Sequence, residues 1–385
     1  MNYRWLGKTG ISVSEVGLGS EGFMNQDEAF AKALIDAALE CGINYFDMYN
    51  SEPDVRTNFG KAMYGRREKF IIQGQIGSTW QNGQYQRSRE LPQVKEAFED
   101  LLKRMQTDYM DVGMIHFVDE QADFDRIFQG EFLSYVLDLK REGKIRCTGM
   151  GTHNHRIAMQ AAKTGLIDVI MLSVNPAYDM LPSNEDLNVL FEQDTYQGSN
   201  SALANIDPER EQLYQYCAAN GIALTVMKPF AGGALLDQNQ SPFGIGMTVF
   251  QCLHYALTRP GVVSVLAGAK TPEEIRYAAG YSDLPEEEKD YAKALSQAPA
   301  HRFFDKCMYC GHCAPCTAGI DIATVNKYAD LCEAQGMVPE TVRDHYHLLK
   351  AKASDCIQCG ICETNCPFGV KIMEHMQKAA AIFGE

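Results

Sequence analysis

Eight cysteines in the C-terminal quarter of the chain have a spacing that restricts what this region can fold around. Cys307 begins a run spaced C-x₂-C-x₂-C-x₂-C, and Cys356 begins a run spaced C-x₂-C-x₂-C-x₃-C that is followed by Pro367. Thiolates two residues apart on a tight turn can reach neighbouring irons of one cubane cluster. Zinc sites and disulfides are the alternatives, but a four-ligand zinc site leaves the third cysteine of each run unexplained. The spacing therefore favours two [4Fe–4S] clusters.

The two runs together resemble a bacterial two-cluster ferredoxin module. The resemblance implies that each run contributes its last cysteine to the cluster of the other run. The implied ligand sets are Cys307, Cys310, Cys313 and Cys366 for one cluster, and Cys356, Cys359, Cys362 and Cys316 for the other. The first run departs from the ferredoxin pattern, because Thr317 stands where a proline is usual and its last spacing is one residue shorter.

Length and composition exclude several classes of protein. A chain of 385 residues accommodates one large domain and one small domain. Its net charge of −15 argues against nucleic acid or an anionic membrane surface as partner. We expect no signal peptide and no membrane span, because the N-terminus lacks an apolar segment and no stretch reaches about 18 apolar residues. Thirteen cysteines in such a chain indicate reduced thiols and metal binding, and hence a cytoplasmic location.

The first two-thirds of the chain repeats one unit, a short apolar run followed by an amphipathic stretch. Alternation of apolar strands with helices indicates parallel βαβ units, and eight such units match the size of a (β/α)₈ TIM barrel. An open doubly wound sheet is the competing architecture, but no G-x-G-x-x-G follows the first strand. The predicted strands are Glu15–Gly19, Tyr45–Met48, Phe70–Ile76, Asp111–Phe117, Ile145–Gly151, Val169–Asn175, Ile222–Lys228 and Val262–Ala267.

Polar residues follow or end several of these strands, where barrel enzymes place their chemistry. They are Asp47, Gln75, His116, His153, Asn175 and Lys228. Two polar segments, Trp80–Glu90 and Asp179–Asp207, are predicted to be long loops over the barrel mouth that contact substrate.

Several motifs resemble the aldo/keto reductase family, over roughly residues 1–295. They are Arg4-Trp5-Leu6-Gly7-Lys8-Thr9-Gly10, Gly42-Ile43-Asn44-Tyr45-Phe46-Asp47, Asp108-Tyr109-Met110-Asp111 leading to His116, Met227-Lys228-Pro229-Phe230-Ala231-Gly232-Gly233, and Leu266-Ala267-Gly268-Ala269-Lys270-Thr271-Pro272. A subgroup of that family carries a C-terminal two-cluster ferredoxin domain. The resemblance therefore implies an α/β chain with a TIM barrel over residues 1–297 and a mainly helical, ferredoxin-like iron–sulfur domain over residues 298–385.

The resemblance also implies a catalytic tetrad of Asp, Tyr, Lys and His, which is only half present. Asp47 and His116 stand at the expected positions, whereas Gln75 occupies the lysine position and Glu52 the tyrosine position. Tyr49 lies near, two residues after Asp47. Because two carboxylates in a partly desolvated pocket raise one another's pKa, we hypothesise that Asp47 and Glu52 share the role of acid. Gln75 and His116 are then expected to bind a substrate oxygen.

The nucleotide loops imply a nicotinamide cofactor without distinguishing NADH from NADPH. The implied binding residues are Gly19, Lys228, Gly232, Gly268, Lys270 and Thr271. Glu274 and Gly268 stand where NADPH-preferring relatives place Arg and Lys. Clusters carry single electrons and nicotinamide carries hydride, so a flavin is a further candidate cofactor, and a ferredoxin or flavoprotein is a candidate redox partner.

Two classes of function remain open from the sequence. The first is an oxidoreductase acting on a carbonyl or alcohol of a small metabolite, with the clusters relaying electrons. The second is a non-redox barrel enzyme, such as a lyase or dehydratase that transfers protons through Asp47, Glu52 and His116, or an electron-transfer protein whose clusters are structural.

Overall fold

The computed structural model describes residues 1–180, 206–296, 307 and 309–384. Its strands are β1 (Tyr3–Trp5), β2 (Ser12–Ser14), β3 (Val16–Gly19), β4 (Tyr45–Met48), β5 (Ile71–Ile76), β6 (Ser78–Gln81), β7 (Gln84–Arg87), β8 (Met110–Ile115), β9 (Ile145–Thr152), β10 (Val169–Ser173), β11 (Ala223–Met227) and β12 (Val262–Ala267).

The α-helices alternate with these strands along the first two-thirds of the chain and then continue alone. They are α1 (Glu28–Glu40), α2 (Pro53–Met63), α3 (Leu91–Arg104), α4 (Gln121–Phe128), α5 (Glu131–Arg141), α6 (His155–Lys163), α7 (Pro176–Met180), α8 (Pro208–Asn220), α9 (Val249–Leu257), α10 (Pro272–Ala279), α11 (Glu286–Lys289), α12 (Tyr291–Ser296), α13 (Ile322–Gln335), α14 (Glu340–His347), α15 (Ile361–Asn365) and α16 (Ile372–Phe383).

Eight parallel strands close into a barrel, in the order β3, β4, β5, β8, β9, β10, β11, β12 and back to β3. The strands are buried almost throughout, as expected for a parallel sheet that is covered on its outer face. All eight predicted strands are therefore present, and the predicted TIM barrel is confirmed. Leu6, Ile11 and Val13 pack with inward side chains of the strands and form part of the core.

By packing, the chain divides into two compact units. The first comprises Met1–Val174, Gly221–Pro229 and Val262–Leu284 and holds the whole barrel sheet. The second comprises Asn175–Asn220, Phe230–Gly261 and Pro285–Glu385, and holds both cysteine runs. Its described part is mainly helical. The domain boundary near residue 298 stays a prediction.

In the first unit α2 approaches α3 closely at Gly60. A Cβ atom at this position would overlap with the carbonyl oxygen of Arg104 and lie 2.8 Å from the Cα of Met105. Gly60 therefore permits the two helices to pack backbone against backbone.

The segment Trp80–Glu90 is not the irregular loop that its polar composition predicted. β6 and β7 form an antiparallel hairpin in which Trp80 pairs with Tyr85. Asn82 and Gly83 join the strands with positive φ angles of 53° and 77°. Both central residues of a type I′ turn require positive φ, and Asn-Gly is the preferred pair for it. The turn residues, rather than the polar composition of the segment, thus determine that it forms a hairpin.

The second polar segment, Asp179–Asp207, lies largely outside the described residues. At its start, Asp179 is buried and accepts hydrogen bonds from Arg210, Tyr214 and Tyr255 in the second unit.

Among the described residues, no helix has both the length and the hydrophobicity that a membrane span requires.

Candidate functional site

Three of the predicted catalytic residues are joined by hydrogen bonds at the ends of β4, β5 and β8. Gln75 Nε2 donates to Asp47 Oδ1 over 2.8 Å, and Gln75 Oε1 lies 3.0 Å from His116 Nδ1. The Asp47 side chain is almost fully buried. The three strands are neighbours in the barrel, and their carboxyl ends therefore bring these side chains together.

A fourth residue, absent from the predicted site, extends this chain. The hydroxyl of Tyr85 in β7 lies 2.8 Å from His116 Nε2. The two rings meet edge to face, with centroids 5.7 Å apart. The sequence signal for this contact is the Asn82-Gly83 turn. It reverses the chain into β7, and Tyr85 of β7 then lies beside His116 at the end of β8.

The direction of these hydrogen bonds follows from the amide of Gln75. Its nitrogen donates to Asp47, so its oxygen accepts from His116 Nδ1–H. Burial, reinforced by the charges of Arg89 and Arg87, lowers the pKa of His116 to about 3. The imidazole is therefore neutral, with its proton on Nδ1, and its Nε2 accepts the hydrogen bond of Tyr85.

The carboxyl group of Asp47 has a pKa well above its usual value. Burial raises its pKa to about 7, against hydrogen bonds from Gln73 and Gln75, and the charge of Glu21 raises it further. The Glu21 side chain is exposed and lies beside Gly19 at the end of β3. Asp47 thus exchanges its proton near neutral pH.

Glu52, the residue expected to share the role of acid with Asp47, lies at the start of α2. Glu52 immediately precedes Pro53, the first residue of α2, and its backbone N–H donates to Asn50 Oδ1 over 2.7 Å. Its carboxylate makes no hydrogen bond to Asp47, Gln75 or His116, all of which belong to the described chain. The charge that contributes to the raised pKa of Asp47 is that of Glu21, and the acid role of Glu52 stays a prediction.

Tyr49 is not joined to the hydrogen-bonded chain. Its hydroxyl lies 3.8 Å from Met24 Sδ, and burial raises its pKa well above the usual range. Its backbone oxygen accepts from Ser78 Oγ, which ties it to the start of the hairpin.

Arg89 fixes the peptide that carries His116. Its guanidinium donates to the backbone oxygens of His116 and Phe117, over 2.7 and 3.0 Å, and pairs with Asp123. Phe117 has a φ angle of 51°, which a phenylalanine rarely adopts. A buried arginine thus holds a strained backbone next to the site.

His153, another of the strand-end residues, has a structural partner. Its Nδ1 lies 2.9 Å from Asp119 Oδ2, and its backbone N–H donates to Asp119 Oδ1. These contacts lower the pKa of Asp119 although burial opposes the change.

Most of the predicted nicotinamide-binding residues lie at the ends of three neighbouring strands. Gly19 ends β3, Lys228 follows β11, and Gly268, Lys270 and Thr271 follow β12. Burial lowers the pKa of Lys228, which Asp119 opposes. A Cβ on Gly268 would meet open space. Gly232 belongs to the second unit, where it adopts a φ angle of 69°.

In the second unit the eight cysteines of the two runs line two separate cavities. Cys307, Cys310, Cys313 and Cys366 line one, and Cys316, Cys356, Cys359 and Cys362 line the other. All thirteen cysteines are free thiols, so disulfides are not formed between the runs. Each cavity therefore offers four sulfur ligands, three from one run and one from the other.

Known proteins resemble the barrel part of this chain. Residues 15–249 match the profile of the Aldo/keto reductase family. The chain belongs to this family. The "Uncharacterized oxidoreductase YqkF" of Bacillus subtilis is 27% identical over 298 residues, which cover 75% of this chain and 94% of that protein. "L-glyceraldehyde 3-phosphate reductase" of Escherichia coli is 24% identical over 234 residues, covering 58% of this chain and 65% of that protein.

Solved structures of aldo/keto reductases share the fold. The holo form of aldo-keto reductase AKR11C1 from Bacillus halodurans is 25% identical, with a TM-score of 0.59, and the match covers 77% of this chain and 97% of that one. As an aldo/keto reductase the protein is an oxidoreductase, and the family generally uses NAD(P)H. The family match ends at residue 249 and does not include the cysteine runs.

Proposed function

We propose that this aldo/keto reductase acts on a carbonyl or alcohol group of a small metabolite and carries two [4Fe–4S] clusters in its C-terminal region. The nicotinamide supplies or accepts hydride, and the clusters relay single electrons. A cytoplasmic location and a ferredoxin or flavoprotein as redox partner are part of the same proposal.

The two four-cysteine cavities carry the iron–sulfur part of the proposal. A cubane cluster requires four thiolates, and each cavity presents that number in the crosswise combination that the ferredoxin resemblance implies. Polar groups also reach the sulfurs, since Asn326 Nδ2 donates to Cys307 Sγ over 3.3 Å. Hydrogen bonds to cluster sulfurs tune reduction potential.

At the carboxyl ends of the barrel strands, the proposed site has Glu52 and Gln75 at the positions of the family's tyrosine and lysine. Loss of a positioned acid costs about 10²–10⁴ in rate, so a working reductase requires another proton donor. Asp47, with a pKa of about 7, and the neutral His116 are the groups that hold protons near the strand ends. Gln75 fixes the orientation of both.

Lys228, Lys270 and the strand-end glycines are proposed to hold the nicotinamide cofactor. Lysine ammonium groups bind phosphate as point charges, and glycines at strand ends permit close approach of a phosphate to the backbone. The exposed Glu21 beside Gly19 opposes an additional phosphate at this end of the barrel. Titration with NADH and with NADPH, and the fluorescence of released flavin, distinguish these cofactors.

A second candidate function is proton transfer without redox chemistry, in a lyase or dehydratase. It is supported by the buried carboxyl group of Asp47, whose pKa is about 7, and by Gln75 at the position that the family resemblance assigns to a lysine. In that case the clusters would be structural.

Metal analysis and nicotinamide titration of the anaerobically purified protein test these proposals. We expect iron and inorganic sulfide in equal amounts, oxidation of NADH or NADPH by glyceraldehyde, and a loss of cluster absorbance on reduction. Flavin fluorescence of the denatured supernatant decides whether flavin is bound. Zinc in place of iron would contradict the iron–sulfur proposal, whereas failure to oxidise either nicotinamide with a panel of small aldehydes would favour the second candidate.

A further inference from the structure

The hairpin β6–β7 brings a phenol to the place where the family's missing tyrosine is needed. Tyr85 is half exposed, at 47%, while its hydroxyl contacts His116 Nε2 at 2.8 Å. The hydroxyl is therefore held by the protein on one side, while about half of the residue's surface is open to solvent. Tyr49, the other nearby phenol, contacts a methionine sulfur instead.

In the hydrogen-bond pattern described above, the proton of Tyr85 is engaged. The ionised Asp47 accepts from Gln75, Gln75 accepts from His116 Nδ1–H, and His116 Nε2 accepts from Tyr85. A phenol that donates to His116 cannot donate the same proton to a substrate oxygen.

Protonation of Asp47 permits the reverse pattern. The carboxyl group then donates to Gln75 Oε1, the amide turns and donates to His116 Nδ1, and the imidazole carries its proton on Nε2. His116 Nε2–H now donates to the oxygen of Tyr85, and the Tyr85 hydroxyl is free to donate outward. Only the orientation of the Gln75 amide and the imidazole tautomer change, and each residue of the chain keeps the same neighbours.

We propose that Tyr85 is the proton donor to the substrate oxygen, and that Asp47 acts through Gln75 and His116 as the positioning residue that releases the Tyr85 proton. The proposal rests on the carbonyl reductase function proposed above. In the reduction, a bound reduced nicotinamide would supply the hydride for the new C–H bond as the C=O π bond breaks, and the oxygen takes the proton of Tyr85. The tyrosinate then regains a proton from water, to which its half-exposed side chain has access.

The surroundings of Tyr85 act on its proton in opposite directions, and the net effect keeps the phenol protonated until the substrate oxygen takes its proton. Burial raises the pKa of Tyr85, while Arg87 and Arg89 oppose the rise. These two cations act in the same direction as the lysine of the family's tetrad, although burial outweighs them, and His116 Nε2–H adds a hydrogen bond to the phenol oxygen. The titratable and charged groups that face the chain are Glu21, Tyr45 and Tyr49 around Asp47, and Arg56, Arg87, Arg89 and His153 around His116.

The first test is independent of substrate. Nitrogen NMR of the protein labelled in its histidines, with His116→Gln for assignment, reports which imidazole nitrogen carries the proton. We expect His116 to change from the Nδ1–H to the Nε2–H tautomer as the pH falls through about 7, without forming imidazolium, and Asp47→Asn to abolish the change. A tautomer that does not depend on pH in the wild-type protein overturns the proposal.

The second test compares three Tyr→Phe variants in the reduction of glyceraldehyde. We expect Tyr85→Phe to lower kcat by about 10²–10⁴ with little change in KM, and wild-type kcat to fall as the pH rises through about 7. Tyr64→Phe, at a phenol that is 76% exposed, is the matched control and should keep full activity. Wild-type activity in Tyr85→Phe, or its loss in Tyr49→Phe instead, overturns the inference. A wild-type protein that reduces no aldehyde refutes the proposed function itself.

Discussion

The burial of Asp47 predicts how the stability of the barrel depends on pH. Its pKa rises from 3.8 to about 7 on folding because burial disfavours the carboxylate. Between these two values the folded protein binds a proton that the unfolded chain has released. Stability is therefore expected to fall as the pH rises from about 4 to about 7, and to level off above that value.

The size of the effect follows from the same two values. At about 1.36 kcal/mol for each pH unit, a rise from 3.8 to about 7 corresponds to about 4 kcal/mol. The group is only 2% exposed, so solvent screening does not reduce this figure substantially. Asp47→Asn removes the ionisation while keeping an oxygen that accepts from Gln75. The variant should exceed the unfolding free energy of the wild-type protein by about 2 kcal/mol at about pH 5 and by about 4 kcal/mol at about pH 8.

Urea unfolding, followed by tryptophan fluorescence under anaerobic conditions, measures this difference. Trp5 and Trp80 are the only tryptophans of the chain, and both lie in the unit that holds the barrel. Asp54→Asn, at an exposed position in the first turn of α2, is the control and should show no pH-dependent gain. If the gain of Asp47→Asn differed by less than about 0.5 kcal/mol between the two pH values, Asp47 would not be a buried proton-binding group and the reasoning would be refuted.

Three further variants test other parts of the structure. Cys366→Ser should lose about half of the bound iron by metal analysis, because it removes one ligand of one cavity, whereas Cys41→Ser should keep it; equal iron in both would count against crosswise ligation. Gly60→Ala should lower the unfolding free energy by about 3 kcal/mol, because its Cβ would overlap with the backbone of α3, while Gly280→Ala meets open space and should be neutral in the same urea assay. Asp123→Asn leaves a buried arginine without its ion pair and should cost about 3–5 kcal/mol; a loss below about 1 kcal/mol would show that the pair contributes little.

The barrel could be predicted from the sequence because its signal is repeated. Each strand is apolar along its whole length, as in β8 and β10, and burial on both faces of a parallel sheet demands this pattern. The positions of Asp47, Gln75 and His116 at strand ends followed from the same regularity. The resemblance to a two-cluster ferredoxin implied the crosswise sets of four thiols, and the same sets line the two cavities.

The parts that sequence reasoning missed depend on contacts between segments distant in the chain. Glu52 lies close to Asp47 in sequence, but the start of α2 gives it a different environment, and Glu21 from the preceding strand end acts on Asp47. The contact of Tyr85 with His116 arises from a hairpin whose polar composition resembles a loop. The Asn82-Gly83 pair was the local signal for that hairpin.

The crosswise lining of the two cavities has a consequence for biosynthesis. The three cysteines that share a cavity with Cys316 are synthesised about forty residues after it. Likewise, Cys366 is synthesised after the other three cysteines of its cavity. Neither cavity has its four thiols until the second run has left the ribosome, although the barrel precedes both runs in the chain and domains fold from the N-terminus first. The metal of the proposed clusters would therefore enter a chain whose barrel is already folded. Its binding at either cavity would close a loop between the two runs and restrict the unfolded chain.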